Sequence, residues 1–305
     1  MKKIAISIGD LNGIGIQLAL ENHDIIKNMV EPIYCIDKEM LHRASKLLNI
    51  KIPTDFKIVN KISKPFNIRG GEITKESGVY SFASFLKAIE LAKMQEVDGI
   101  VTLPINKLAW EVAGIKYKGH TDALRDFFNT NVIMMLGVPN MFVALYTEHI
   151  PLQNVSNEIK NVSKLSNFLI DFYNSIDLKK GEQIALLGLN PHAGDGGVLG
   201  DEEFSIIRAR ETAHRNIGKN IYTTPLVPDI AFTSNIRRKY RYFVAMYHDQ
   251  GLAPLKALHF NDGINISLNL PIKRSSVDHG TAFDKAYTGA KLNFLSFRNA
   301  VEYFK

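Results

Sequence analysis

Three histidines hold the same kind of position in this chain. His149 follows an apolar run at 142–146, His192 follows one at 184–189, and His248 follows one at 242–246. Each run has the length of a buried strand and ends abruptly in polar, ligand-type groups. In an open α/β sheet the site forms outside the carboxyl ends of the strands. Three imidazoles there would make one divalent-metal site with positions left open for substrate. Zn²⁺ is the first expectation; Co²⁺, Ni²⁺ and Fe²⁺ also suit imidazole, while Mg²⁺ prefers oxygen. Taken singly, a histidine after a strand is an ordinary structural residue, so the repetition carries the reading. Asp249 and Asp229 are carboxylates placed to fix an imidazole tautomer.

A second group of residues suits an anion. His120, Thr121, Lys256, Asn265 and Arg274 are scattered along the chain, and each alone reads as a surface residue. Together with a metal they would suit a small phosphorylated or carboxylated substrate, with Arg274 able to bond it twice through its planar fork. Two glycine loops could bring main-chain N–H groups to a ligand. One is Gly9-Asp10-Leu11-Asn12-Gly13-Ile14-Gly15; the other runs from Asn190 to Gly200 and includes Gly194, Gly196 and Gly197. The first has the spacing of neither a dinucleotide fingerprint nor a Walker A loop. No G-x-S-x-G elbow occurs, and the single cysteine, Cys35, lies in an early strand, which disfavours covalent nucleophilic catalysis.

The 305 residues are 46% hydrophobic and 22% charged, which allows a large globular core. One cysteine excludes an intrachain disulfide framework, and a reduced, cytoplasmic setting is the simplest reading. Net charge is +6, which serves solubility or attracts anions. The basic residues are dispersed apart from short clusters such as Arg237-Arg238-Lys239, so nucleic acid is not an expected partner. No apolar run approaches the roughly 20 residues of a membrane helix, and the apolar start stops at Gly9-Asp10, too early for a signal peptide.

The elements that must position these residues alternate. Strands are expected at 2–8, 33–36 and 99–103, with helices at 16–27, 38–48 and 76–94 and irregular chain at 51–75. A short helix leads from His120 to Phe128, and strands at 132–137 and 141–146 form a hairpin. Further helices are expected at 158–173, 202–217, 252–258, 281–287 and 294–304, with strands at 184–189, 242–246 and 264–270 and a polar stretch at 273–280. This is the pattern of an α/β fold with a mixed, mostly parallel sheet. His23, His42, His214 and His259 read as surface residues.

Four stretches carry a resemblance. Tyr247-His248-Asp249-Gln250-Gly251-Leu252, Leu189-Asn190-Pro191-His192-Ala193-Gly194, Gly119-His120-Thr121 and Ser276-Val277-Asp278-His279-Gly280-Thr281-Ala282 resemble the motifs of the 4-hydroxythreonine-4-phosphate dehydrogenases of pyridoxal 5′-phosphate synthesis. The resemblance implies a fold like isocitrate and isopropylmalate dehydrogenases, with two α/β/α lobes and an interlobe cleft. The first lobe would hold 1–125 and 270–305 and the second 126–269. It implies a homodimer whose site takes groups from both subunits. His149, His192 and His248 would bind the metal; His120, Thr121, Lys256, Asn265 and Arg274 would touch substrate; Asp229 and Asp249 would maintain the site.

The implied reaction is NAD- or NADP-dependent oxidation of 4-phosphooxy-L-threonine at C3, followed by loss of CO₂ to give 3-amino-2-oxopropyl phosphate. Lys256 is the candidate for proton transfer, with a plain electrostatic contact as its alternative role. The glycines at 194, 196 and 197 are the candidates for the cofactor. Relatives in the family act on 4-phosphoerythronate or phosphothreonate, and the motifs do not separate these substrates. A metal-dependent phosphohydrolase and a non-enzymatic binding module are the rival classes. The first loop departs from the family's Gly-Asp-Pro-Ala-Gly-Ile-Gly-Pro-Glu: Leu11, Asn12, Ile16 and Gln17 replace both prolines, the alanine and the acid. The chain is also short for the family, with 51–75 the expected place of the loss.

Overall fold

Ile4-Ala5-Ile6-Ser7 carries no charge and alternates with nothing polar, so it is expected to be covered on both faces; in a computed structural model describing residues 1–305, all four are fully buried. They belong to β1 (Lys3–Ser7), followed by α1 (Gly15–Ile26), β2 (Glu31–Cys35), α2 (Lys38–Leu48), α3 (Lys75–Lys93), β3 (Gly99–Thr102), α4 (Lys107–Val112) and α5 (His120–Phe128). Next come β4 (Ile133–Val138), β5 (Met141–Leu145), α6 (Val155–Lys160), α7 (Val162–Ser175), β6 (Ile184–Leu186), α8 (Glu202–Ile217), α9 (Pro228–Ala231), α10 (Ser234–Arg237), β7 (Tyr242–Ala245) and α11 (His248–His259). The chain closes with β8 (Ile264–Leu268), β9 (Arg274–Val277) and α12 (Leu295–Glu302).

The chain forms two compact units, one of residues 1–130, 261–266 and 270–305, the other of 131–260 and 267–269. Asn265 therefore belongs to the first unit, although the expected division put 126–269 in the second lobe. Within the first unit the strands lie in the order β2-β1-β3-β9, all parallel. Within the second the order is β4-β5-β7-β6, with β4 antiparallel to β5 and the other pairs parallel. The α/β reading with a mixed, mostly parallel sheet holds.

Several local expectations are corrected. The polar stretch at 273–280 contains a buried strand, β9. Its hydroxyls are satisfied: Ser275 Oγ donates to Ala300 O at 2.6 Å and Ser276 Oγ to Thr102 O at 3.1 Å. The segment 281–287 is a series of turns rather than a helix, with Ala282 and Tyr287 in the left-handed region at φ 43° and 59°. The helix expected at 158–173 breaks at Asn161, whose side chain caps α7 by accepting from Lys164 N at 3.0 Å. His23 and His214 are buried, not surface residues. His23 lies between Tyr34 Oη (3.1 Å) and Asp55 Oδ1 (3.2 Å), and His214 Nε2 accepts from Tyr222 N at 3.0 Å.

The loop after β1 explains how this chain does without the family's prolines. Asn12 is fully buried; its Nδ2 donates to Glu72 O at 2.9 Å and to Thr74 Oγ1 at 3.2 Å, and its Oδ1 accepts from Arg69 N at 2.9 Å. One amide therefore pins the loop to 69–74. Asp10 beside it is also fully buried. It accepts from Asn12 N at 2.9 Å and Ser77 Oγ at 3.1 Å, yet burial outweighs these bonds and lifts its carboxyl from 3.8 to about 6.

A carboxyl that holds its proton more tightly when folded adds stability at low pH that is lost as pH rises through about 6. We expect Asp10→Asn to remove this loss, which amounts to at most about 3 kcal/mol. Urea unfolding of the variant and wild type at pH 5 and pH 7.5 measures it: the variant gains relative stability at the higher pH.

Candidate functional site

The second unit gathers two of the three histidines. Strands β5 and β7 are parallel neighbours in a register that pairs Leu145 with Ala245. The pairing runs on past the strands: Thr147 N and Thr147 Oγ1 both donate to Met246 O, at 3.2 and 2.7 Å. His149 and His248 therefore leave the same end of adjacent strands, and their ring centroids lie 5.5 Å apart. An imidazole bound through nitrogen about 2.1 Å from a metal has its centroid about 3 Å from it, so two tetrahedral ligands sit about 5 Å apart. The pair fits a divalent metal on that ground. His248 Nδ1 meets Asp249 Oδ1 at 2.7 Å, which leaves Nε2 as the nitrogen that could ligate a metal. His248 opens α11 rather than preceding it, four residues ahead of the expected helix.

His192 does not join them. No set of three His, Cys, Asp or Glu side chains that could hold a metal forms within the chain. His192 lies on an exposed loop in which residues 192–196 all have left-handed backbone, with φ between 44° and 80°. Three of these five are not glycine, a conformation that costs L-residues roughly 1 kcal/mol each. Acids hold the loop in place. Glu203, 6% exposed, accepts from Leu189 N and Asn190 N, both at 2.8 Å, and from Asn190 Nδ2 at 2.9 Å. Glu202 accepts from Ser156 Oγ at 2.6 Å and Asn190 Nδ2 at 2.7 Å, and these bonds pull its carboxyl from 4.5 down to about 2. The loop's first amides are thus spent on its own carboxylates. Gly194, Gly196 and Gly197 lie further along the same loop, at φ 80°, 65° and 102°. Asp229 is exposed in the first turn of α9. Lys256 is half-buried on α11, its Nζ 5.8 Å from the centre of the Phe260 ring.

The anion-binding candidates of the first unit have a different character. Arg274, 2% exposed, donates from Nε and Nη2 to Thr102 Oγ1, at 3.2 and 2.7 Å. Burial lowers its pKa to about 9, which leaves it charged at neutral pH. His120 is the first residue of α5, with its ring edge-on to Phe85 and Trp110 at centroid distances of 4.6 and 5.5 Å. Burial, reinforced by the charge of Arg274, holds His120 well below its ordinary pKa and therefore neutral. Its Nε2 is buried and meets no hydrogen-bond partner, and the same is true of Asn265 Oδ1. A buried polar atom without a partner is costly, and a bound ligand that supplies the bond removes the cost. Thr121 follows His120 in the first turn of α5, where backbone N–H groups point outward and favour an anion.

A family model described as "Pyridoxal phosphate biosynthetic protein PdxA" matches residues 28–304. The chain belongs to the PdxA family. A protein of Sulfurimonas denitrificans named 4-hydroxythreonine-4-phosphate dehydrogenase is 53% identical over 98% of this chain and 96% of its own. One of that name from Campylobacter fetus subsp. fetus is 50% identical over 99% and 97%. Among solved structures, a 4-hydroxythreonine-4-phosphate dehydrogenase from Burkholderia phymatum superposes with a TM-score of 0.84 at 29% identity, over 99% of this chain and 97% of that one. A terephthalate 1,2-cis-dihydrodiol dehydrogenase from Burkholderia xenovorans shares the fold at a TM-score of 0.66 and 22% identity.

Thr102 and Glu203 escaped the sequence reading. Thr102 is the one hydroxyl in the otherwise apolar strand β3, a signal of a buried polar task. Glu203 was visible as an acid just after a glycine loop, but acids opening a helix are common. We expect Glu203→Gln to turn one accepting oxygen into a donor facing Asn190 Nδ2 and to cost about 1–3 kcal/mol in urea unfolding. Glu202 is more acidic folded than unfolded, so the stability it adds is present above pH 4.5 and is lost as pH falls toward about 2. Acid titration of Glu202→Gln should show a shallower loss over that range.

Proposed function

We propose that this chain is a 4-hydroxythreonine-4-phosphate dehydrogenase acting in pyridoxal 5′-phosphate synthesis. It would oxidise the C3 hydroxyl of 4-phosphooxy-L-threonine with NAD⁺ or NADP⁺ and release CO₂ to leave 3-amino-2-oxopropyl phosphate. The relative of that name at 53% identity across nearly the whole chain carries the reading. The chemistry of the side chains supports it. His149 and His248 would hold a divalent metal, Zn²⁺ first among candidates, and His192 would complete the set in a homodimer whose site is shared between copies. When bound, that metal would supply Lewis acidity to the substrate hydroxyl and to the ketone formed from it. The nicotinamide cofactor would supply the hydride acceptor.

The chain's own groups would do the rest. Arg274 would pair with the phosphate or carboxylate through guanidinium N–H groups, and the Thr102 hydroxyl holds the edge of its fork. His120, kept neutral by burial, can donate or accept one hydrogen bond at Nε2 without adding charge. Asn265 Oδ1 can accept from a hydroxyl or ammonium of the substrate. Asp249 holds the His248 tautomer. Lys256 would accept or relay the hydroxyl proton as hydride leaves C3. Loss of CO₂ then breaks the bond between the carboxylate and C2, and the electron pair passes toward the new carbonyl before C2 is protonated.

The test is initial-rate reduction of NAD⁺ and of NADP⁺ with 4-phosphooxy-L-threonine beside 4-phosphoerythronate. We expect turnover of the first substrate; turnover of the second alone overturns the reading, as does phosphate release without any nicotinamide. In the same assay His248→Ala should lose at least about 100-fold in kcat, and it should retain no stoichiometric Zn²⁺ after dialysis.

A further inference from the structure

Gln250 is one residue of the quoted Tyr-His-Asp-Gln-Gly motif that neither the metal nor the substrate accounts for. It is 9% exposed, and both ends of its amide are used. Oε1 accepts from Met246 N at 2.7 Å, and Nε2 donates to Gly188 O at 2.7 Å. The two partners lie on different chain segments. Met246 follows β7 and stands two residues before His248. Gly188 follows β6 and stands four residues before His192.

The parallel ladder of β6 and β7 ends just below this point. Its register stops at Leu186 opposite Val244, and Leu187 N still reaches Val244 O at 3.0 Å. Beyond it the strands separate, Gly188 N donating instead to Leu226 O at 2.9 Å. The amide of Gln250 fills the opening and satisfies one group from each side. A carboxamide offers a donor and an acceptor on one planar group without carrying charge.

The helix that carries Gln250 cannot shift freely. A Cβ at Gly251 would stand 2.6 Å from Val143 Cγ1 and 2.9 Å from Ala245 Cβ, so the first turn of α11 rests directly on β5 and β7. That turn begins with His248. Its direction is set on one side by this close packing and on the other by the ring closed through Met246 N and Gln250 Oε1.

We propose that Gln250 is a positioning residue for the metal site: its amide fixes the first turn of α11 against β7 and so holds the His248 ring at ligating distance from His149. This rests on the reading that His149 and His248 bind a divalent metal. Both ends of the Gln250 amide are taken by main chain, so it would act on a bound metal through His248.

Coupling between a clamp and a bound ion is reciprocal: the factor by which the clamp tightens the metal is the factor by which the metal tightens the clamp. The wild-type full chain therefore provides the first measurement, hydrogen exchange at the Met246 amide with and without saturating Zn²⁺. Exchange should slow by about tenfold or more when Zn²⁺ is present, the range typical of groups that orient a metal ligand. An unchanged rate in protein that binds Zn²⁺ overturns the proposal. The second measurement is Zn²⁺ affinity by competition with a chromogenic chelator for wild type, Gln250→Glu, Gln250→Met and His248→Ala. Gln250→Glu, assayed above about pH 8 so that its carboxyl is ionised, keeps the acceptor for Met246 N but sets a carboxylate against Gly188 O; Gln250→Met removes both bonds at similar volume. Each should bind Zn²⁺ about 10–100-fold more weakly, with the circular dichroism spectrum of wild type. Wild-type affinity in either folded variant overturns the proposal, and if neither folds the exchange measurement decides alone. Wild type that binds no tighter than His248→Ala refutes the metal reading itself, an outcome separate from failure of the clamp.

Discussion

The parallel pairing of β5 with β7 is the constraint from which the second unit's chemistry follows. Its ladder delivers two chain segments, a hundred residues apart, to the same end of the sheet in a fixed register. Thr147 extends the pairing to Met246 O through both its amide and its hydroxyl. A slip by one residue would turn every side chain on one strand to the other face. The separation of the His149 and His248 rings is thus a property of the sheet before it is a property of the histidines.

The first unit meets the opposite demand, the keeping of charge and polarity out of water. Arg274 is buried on a strand and donates to the Thr102 hydroxyl; Asp10 is buried in a loop and holds its proton near pH 6. Burial of such groups is costly unless they are bonded. Around His120 and Asn265 the cost is left standing, because their inner atoms lack partners. A ligand able to supply the missing bonds would remove that cost.

Much of this was readable in the residues. The apolar runs before His149, His192 and His248 marked real strands, and helices α2 and α8 start and stop where their patterns do. Other features were hidden for physical reasons. Arg274-Ser275-Ser276 reads only as a polar stretch because periodicity sees only polarity, whereas the bonding partners Thr102 and Ala300 come from distant parts of the chain. The turns at 281–287 have helical composition, but Ile14 N takes the carbonyl of Thr281 and Tyr287 Oη bonds Leu11 O at 2.6 Å. The Leu11-Asn12 departure looked like lost rigidity. In the fold, one side-chain amide provides by hydrogen bonds what proline provides by its ring.

The left-handed turn at His192 has an evolutionary consequence. Its mirror-image backbone admits glycine, asparagine, aspartate and, at some cost, small or planar residues, but β-branched side chains are shut out by their own sterics. The direction in which His192 leaves the sheet is therefore guarded by chirality as well as by chemistry. Drift in these five positions is narrowed to a short alphabet even where the side chain touches nothing.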